Sequence, residues 1–234
     1  MVIMENKILT ICPSYGRPHR LKEMIESFIN TSSKSDLSIW ISAGDSKYED
    51  YYKLNSFYHK NSSVSFVVTD PEKTITEIFN HACTFQDYAF YHLTNDDFIY
   101  RTKFWDEKFM NILEDYGDGV VYGNDTLQGK NLPTAPCISR SIVRALGWLQ
   151  LPSLTHLGGD CVWKEIGTKI KRLYYLEDVI IEHRHWMKDK ALLDETYKRT
   201  NSNLMYEKDQ KAYREWYHNQ MDKDVERIKT TCQI

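Results

Sequence analysis

No apolar stretch of the chain approaches the roughly 18 residues that a membrane-spanning helix needs, which excludes a helical span. The opening run MVIMENKILTICPSYGRP places an acid and a proline where a secretory leader needs a basic lead and an unbroken apolar core. The five cysteines, Cys12, Cys83, Cys137, Cys161 and Cys232, are odd in number, far apart and free of any Cys-x-x-Cys pair. That pattern excludes a disulfide frame and a zinc knuckle and points to reduced thiols. A soluble cytoplasmic protein is expected. There is no surplus of positive charge, with 30 Lys and Arg against 33 Asp and Glu, a net charge of −3. This argues against a strong non-specific grip on nucleic acid, although a local basic patch stays compatible with it. Neither the GxGxxG nor the GxxxxGK[ST] spacing occurs, so no Rossmann or P-loop phosphate cradle is indicated. Internal repeats and low-complexity tracts are also absent.

What the chain does have is enough residues, 234, for one sizeable core, with 41% hydrophobic and 13% aromatic residues. Its apolar residues alternate between two periods. KILTIC (7–12), LSIWIS (37–42), VSFVV (64–68), YAFYHL (88–93) and GVVYG (119–123) read as strands. Leu21, Met24, Ile25 and Phe28 mark one face of a helix; Ile75, Ile78, Phe79 and Ala82 mark a second, and residues 103–115 a third. Alternating strands and helices predict an α/β fold with a mostly parallel sheet flanked by helices. The second half is less regular. NLPTAP reads as a loop, CISRSIVRALG as a turn into a short helix, GGDCVWKEIG as a short helix opened by glycines, and RLYYLEDVIIEHRHW as one or two strands. From about Asp189 the chain turns polar, but Tyr213, Tyr217, Met221, Val225 and Ile228 keep a helical spacing, so a tail packing a thin stripe is expected.

Four segments carry residues suited to chemistry. In open α/β sheets ligands bind beyond the carboxyl ends of the strands, where HLTNDDFIY places Asn95, Asp96 and Asp97. Adjacent carboxylates repel one another, and a bound Mg²⁺ or Mn²⁺ relieves that repulsion; an Asx-turn or helix cap uses the same letters. In VIIEHRHW (179–186), strand periodicity sets Ile181, His183 and His185 on one face, and Glu182, Arg184 and Trp186 on the other. The two histidines are then either converging metal ligands or hydrogen-bonding residues at a strand end. In THLGGDCVWKEIG, two glycines allow close backbone approach to a ligand, and Asp160 is either a helix cap or a general base. In CPSYGRP, Tyr15 is placed to stack on a base and Arg17 to face a diphosphate, or the segment is a plain turn with a solvated Arg.

Taken in order, these segments resemble GT-A glycosyltransferases of the family 2 type, over about residues 7 to 200. ILTICPSYGRPHRLKEMIESF is similar to the family's opening strand, loop and helix, and implies donor-binding roles for Pro13, Ser14, Tyr15 and Arg17. ISAGDS (41–46) resembles the second strand end, implying that Asp45 contacts the base. LTNDDF resembles the DxD segment with Asn95 in place of its first acid, and GGDCVWKEIG resembles the helix that carries the catalytic carboxylate. EHRHW followed by KALLDETY is similar to the late His segment of small phage-type members. The resemblance implies a GT-A (Rossmann-like) domain over residues 1–188, with residues 189–234 as a C-terminal helical extension packed on it. It implies a nucleotide-sugar donor, usually a UDP-sugar, whose diphosphate is held by Mn²⁺ or Mg²⁺. Asp97 would ligate the metal, Asp96 the ribose or the metal, and His183 the metal from the opposite side, with His185 as the alternative. Asp160 would be the base in an inverting member and would orient the acceptor in a retaining one.

The acceptor implied is either a hydroxymethylated pyrimidine in phage DNA, which places the enzyme in the host cytoplasm, or a cell-surface glycan or polysaccharide precursor. Lys198, Arg199, Lys208, Lys211 and Arg214 would suit a phosphate backbone, but Glu195, Glu207, Asp209 and Glu215 share that stretch and make it a mixed solvated face. A nucleotidyltransferase and a non-catalytic nucleotide-sugar binding module are the rival readings. The first needs a Gly-rich basic triphosphate loop, of which CPSYGRP supplies one Gly and one Arg.

Overall fold

The computed structural model describes residues 6–184 and 202–234; His185, Trp186, Glu195, Lys198 and Arg199 lie outside them. Eight strands form one sheet: β1 (Ile8–Ser14), β2 (Ser35–Ser42), β3 (Val64–Thr69), β4 (Phe90–Leu93), β5 (Phe98–Tyr100), β6 (Val120–Asn124), β7 (Cys137–Ser139) and β8 (Leu173–His183). Their order is β3-β2-β1-β4-β7-β6-β8-β5. The half from β3 to β4 is parallel, as is the β6–β8 pair, while β7 runs antiparallel between β4 and β6, and β5 antiparallel on β8.

Helices cover both faces. Successive residues of β1 feed opposite cores: Ile8 and Cys12 pack with α1 (Pro18–Thr31), α2 (Tyr48–Tyr58) and α4 (Trp105–Asp115). Leu9 and Ile11 pack with α3 (Ile75–Phe85), α5 (Arg140–Leu146) and α6 (Gly159–Lys169). A strand buried on both faces has no polar side, which is why KILTIC reads as a continuous apolar run. Helix starts follow local chemistry. Pro18 opens α1 at a position that needs no N–H donor. Thr74 and Glu77 form a capping box at α3, with the Thr74 N–H donating to Glu77 Oε2 at 2.7 Å.

Three elements depart from the sequence reading, among them β7, whose CIS was expected as the turn before α5. The helix α2, YEDYYKLNSFY, buries only Tyr51 and Tyr58, so it carries no apolar stripe. The strands β5 and β7 are three residues each, too short to show a period. The strand β1 also runs two residues past its expected end. Pro13 and Ser14 pair with β2 alone, because the pairing with β4 stops at Ile11.

The irregular segment RLYYLEDVIIEHRHW contributes one strand in two registers. Residues Leu173–Leu176 of β8 pair with Val120–Gly123, after which Asn124 faces Ile180. The excursion between them passes directly over Gly123, where a Cβ would stand 2.4 Å from the Val179 carbonyl oxygen. Only glycine leaves room for that crossing.

The tail folds as α7 (Asn203–Asn219) and α8 (Met221–Cys232) and packs on the body. Trp216, Met221, Val225 and Ile228 join the core on the α5 face, and the Trp216 indole donates to buried Asp224 at 2.9 Å. A break at Gln220 shifts the helical phase, so Trp216 is buried in place of the expected Tyr217, which is exposed. Because Ile228 is fully buried, Ile228→Ala is expected to cost about 2–4 kcal/mol of stability in urea unfolding. A loss below about 0.5 kcal/mol, the range of neutral surface substitutions, would show that α8 is peripheral.

Candidate functional site

A cleft of about 550 Å³ opens at the carboxyl ends of β1, β2 and β4 and is closed on its far side by α6. Pro13, Ser14, Tyr15 and Arg17 line it from the β1–α1 loop, and Asp96 and Asp97 from the turn between β4 and β5. Asp160 and His183 line it from α6 and from the end of β8. Of the residues singled out in the sequence, Asp45 stands outside this lining, and His185 lies outside the described residues.

The carboxylate pair does not cap a helix, since α4 begins only at Trp105. Both side chains are buried, at 4% and 5% exposure. Burial, then the charge of Asp97, pushes the Asp96 carboxyl up to about 7, while Arg17 and Ser14 act against the rise. The Arg17 guanidinium, itself buried, stands 3.5 Å from Asp96 Oδ1 and 3.7 Å from Asp97 Oδ2. It bridges the two charges from within the fold.

A directed chain of hydrogen bonds holds this arrangement. The Arg17 backbone N–H donates to the Tyr51 hydroxyl at 2.9 Å, Tyr51 to Ser14 Oγ at 2.8 Å, and Ser14 to Asp96 Oδ2 at 2.7 Å. Each hydroxyl donates onward, so the links polarise one another. Asp45 works one layer behind: its oxygens accept from the backbone N–H groups of Gly16, at 2.6 Å, and Lys47, at 2.8 Å. It thereby clamps the β1–α1 loop to the end of β2.

His183 reaches the pair through the crossing over Gly123. Beyond that crossing β8 pairs with β5, setting His183 opposite Phe98, and the two rings stack with centroids 4.4 Å apart. His183 Nε2 then lies 3.6 Å from Asp97 Oδ2, and the Arg184 N–H donates to the Asp97 carbonyl at 2.8 Å. The alternation expected of this strand holds for Ile181, buried, and for Glu182, which pairs with Arg101 at 2.7 Å.

Asp160 sits half-buried in the first turn of α6, where the Cys161 N–H donates to its Oδ1 at 2.8 Å. Burial raises its pKa; the Cys161 hydrogen bonds and the nearby His183 pull the other way. The loop before α6 is anchored by a residue that the sequence placed on a solvated face. Asp209 of α7 is 2% exposed, and its carboxylate accepts from the backbone N–H groups of Thr155, His156 and Leu157 at 2.7 to 2.8 Å. Lys211 and Glu215, by contrast, pair at 3.9 Å on the exposed side of α7. Gln150, Met205 and Trp163 also line the cleft and went unnoticed in the sequence, because each stands alone in its segment.

No family model and no curated protein sequence matches the chain. Solved structures do. S. aureus TarS 1-349 in complex with UDP superposes with a TM-score of 0.61 at 11% identity, covering 75% of this chain and 59% of that one. The chain thus spans less than two thirds of that protein. The UDP-GlcNAc complex of the same TarS segment gives 0.60 at 12% identity over 91% of this chain and 73% of that one. The mannosyltransferase PcManGT from Pyrobaculum calidifontis, in complex with GDP-Man and Mn²⁺, gives 0.57 at 12% identity over 98% and 76%.

The chain has the GT-A glycosyltransferase fold.

In this GT-A fold the carboxylate pair and Arg17 stand at the strand ends, and Asp160 belongs to the helix opposite. Among the described residues no three His, Cys, Asp or Glu side chains gather closely enough to hold a metal ion unaided. Asp97 and His183 come together as two donors, with Asp96 adjoining. Ions such as Mg²⁺ rest on one or two carboxylates and take their remaining ligands from water and substrate phosphates, so this donor set fits a divalent cation that shares its shell with a phosphate ligand.

The raised Asp96 pKa has a consequence for stability. With an ordinary carboxyl value near 3.9 in the unfolded chain, the folded state holds more protons between about pH 4 and pH 7. Stability therefore falls as pH rises through that window, and the penalty is complete above it. Asp96→Asn is expected to raise the melting temperature without added metal, by more at about pH 8 than at about pH 5. Equal gains at the two pH values, read by circular dichroism, would show that ionisation of Asp96 carries no such penalty.

Proposed function

We propose that this chain is a metal-dependent glycosyltransferase that moves a sugar from a nucleotide-sugar donor, in the first instance a UDP-sugar, to an acceptor hydroxyl. The observation that carries the reading is one cleft of a GT-A fold that joins a buried carboxylate pair with its arginine to a carboxylate of raised pKa on the opposite wall. The solved neighbours that bind UDP, UDP-GlcNAc and GDP-Man support it.

In this reading Tyr15 stacks on the base, and Pro13 and Ser14 border the nucleotide. Asp45 frames the base end through the loop it clamps. Arg17 faces the diphosphate, and Asp96 holds the ribose or the metal. Asp97, with His183 or His185, would hold Mn²⁺ or Mg²⁺; when bound, the cation offsets the charge that builds on the leaving nucleoside diphosphate. In an inverting reaction Asp160 takes the proton of the acceptor hydroxyl as the hydroxyl oxygen attacks the anomeric carbon and the bond to the diphosphate breaks; in a retaining one it orients the acceptor. A raised pKa makes this carboxylate a better base than an exposed aspartate. The mixed charge on α7, with Lys211 engaged by Glu215 and Asp209 buried, favours a glycan acceptor over a DNA backbone.

A thermal-shift screen separates this reading from its rivals. UDP with Mn²⁺ is expected to stabilise the chain, by about 2.7 kcal/mol at a hundredfold excess over Kd, where NAD and ATP do not. Stabilisation by ATP in place of UDP would favour a nucleotidyltransferase. Asp97→Ala is expected to abolish transfer in the presence of Mn²⁺, and full activity there would sink the metal assignment. Asp160→Asn is expected to lower turnover by about 10² to 10⁴ while donor affinity is kept. A variant of unchanged turnover would take the base role away from Asp160.

A further inference from the structure

The second wall of the cleft holds a polar group that the scheme above does not use. Gln150 lines the cavity, is 4% exposed, and its Oε1 has no hydrogen-bond partner among the described residues. A buried carboxamide oxygen left in that state costs free energy, of the order that makes such groups rare in native folds.

The position is built. Asn80 of α3 accepts the backbone N–H groups of Leu149 and Gln150, both at 2.8 Å, and donates back to the Gln150 carbonyl at 2.8 Å. Trp163 of α6 adds a bond to the Leu149 carbonyl at 3.1 Å. The side chain then lies across Gly159, where an ideal Cβ would fall 1.9 Å from Nε2 and 2.4 Å from Oε1. Gly159 therefore leaves its space to Gln150, next in the chain to Asp160. Phe79 and Trp163 supply apolar lining in the same cleft.

The sheet order says what reaches this point. The cleft runs from the ends of β3 and β2, lined by Thr69, Ser42 and Trp40, across the β1 and β4 ends with the carboxylate pair, to α6 and Gln150. With the base at Tyr15, as in the reading above, a ligand whose diphosphate lies at the carboxylate pair directs its sugar toward Gln150. A carboxamide offers an acceptor and two donors, which matches the hydroxyls of a sugar ring.

We propose that Gln150 is a specificity-determining residue that hydrogen-bonds a hydroxyl of the donor's sugar. The proposal rests on the nucleotide-sugar reading of the cleft. It is tested by isothermal titration of wild type, Gln150→Met and Gln150→Asn with UDP and with UDP-GlcNAc, UDP-glucose and UDP-galactose, all in Mn²⁺. Methionine keeps the volume and removes the polar atoms. For the sugar that wild type binds best, the ratio of the UDP-sugar Kd to the UDP Kd is expected to rise about tenfold in the Met variant. The UDP Kd itself should stay within about twofold, which also reports an intact fold, and the Asn variant should show a smaller rise. An unchanged ratio in the Met variant, or equal losses for UDP and UDP-sugar, overturns the Gln150 role and leaves the nucleotide site standing. Failure of wild type to bind any of the four ligands overturns the site reading and this proposal with it.

Discussion

Two carboxylates on consecutive residues, both out of water, repel each other at short range, and much of the site is arranged around that repulsion. Arg17 reaches both from the neighbouring strand end, and the chain from Arg17 through Tyr51 and Ser14 to Asp96 fixes how it does so. Desolvation is the larger cost, as the pKa of Asp96 shows. A buried charge pair bridged by an internal cation is a poor way to gain stability, since hydrophobic replacements often do as well or better. Stability alone therefore does not account for the pair.

The two halves of the sheet divide the labour. The parallel half, β3 to β4, ends in loops that close by short turns, and Asp45 clamps two of them together through backbone N–H groups. The mixed half delivers the residues that arrive from the other side. It does so through a crossing that Gly123 permits, after which β8 changes partner and carries His183 to Asp97. A side chain at position 123 would disturb a site residue sixty positions later in the sequence.

Much of the fold was legible because burial on both faces leaves long apolar runs, and amphipathic helices leave a stripe. What escaped lacked either signal: α2 has aromatic residues without a period, and β5 and β7 are too short for one. In the site, Asp96, Asp97 and His183 stood out because strand ends and adjacent acids are local features, and Asp160 because two glycines open its helix; the structure brings all four to one cleft. Gln150 was passed over and Asp209 placed on a solvated face for the opposite reason. Each owes its meaning to a partner far along the chain, Asn80 in one case and the N–H groups of residues 155–157 in the other. The glycine pair itself was read as room for a ligand, whereas at Gly159 that room belongs to Gln150.

Asp209 ties the fate of the cleft to the order in which the chain is made. The strands β1 to β4 and the loop that carries Arg17 lie within the first hundred residues, whereas β5, just past the carboxylate pair, finds its sheet partner only in β8. The loop that precedes Asp160 has its three N–H groups satisfied only by a carboxylate more than fifty positions downstream. On the ribosome, where earlier segments emerge first, the β1–β4 side of the cleft can therefore assemble before the wall bearing Asp160 is anchored. A nascent chain would pass through a stage with half of its cleft in place, the wall bearing Asp160 staying unanchored until α7 has emerged and docked.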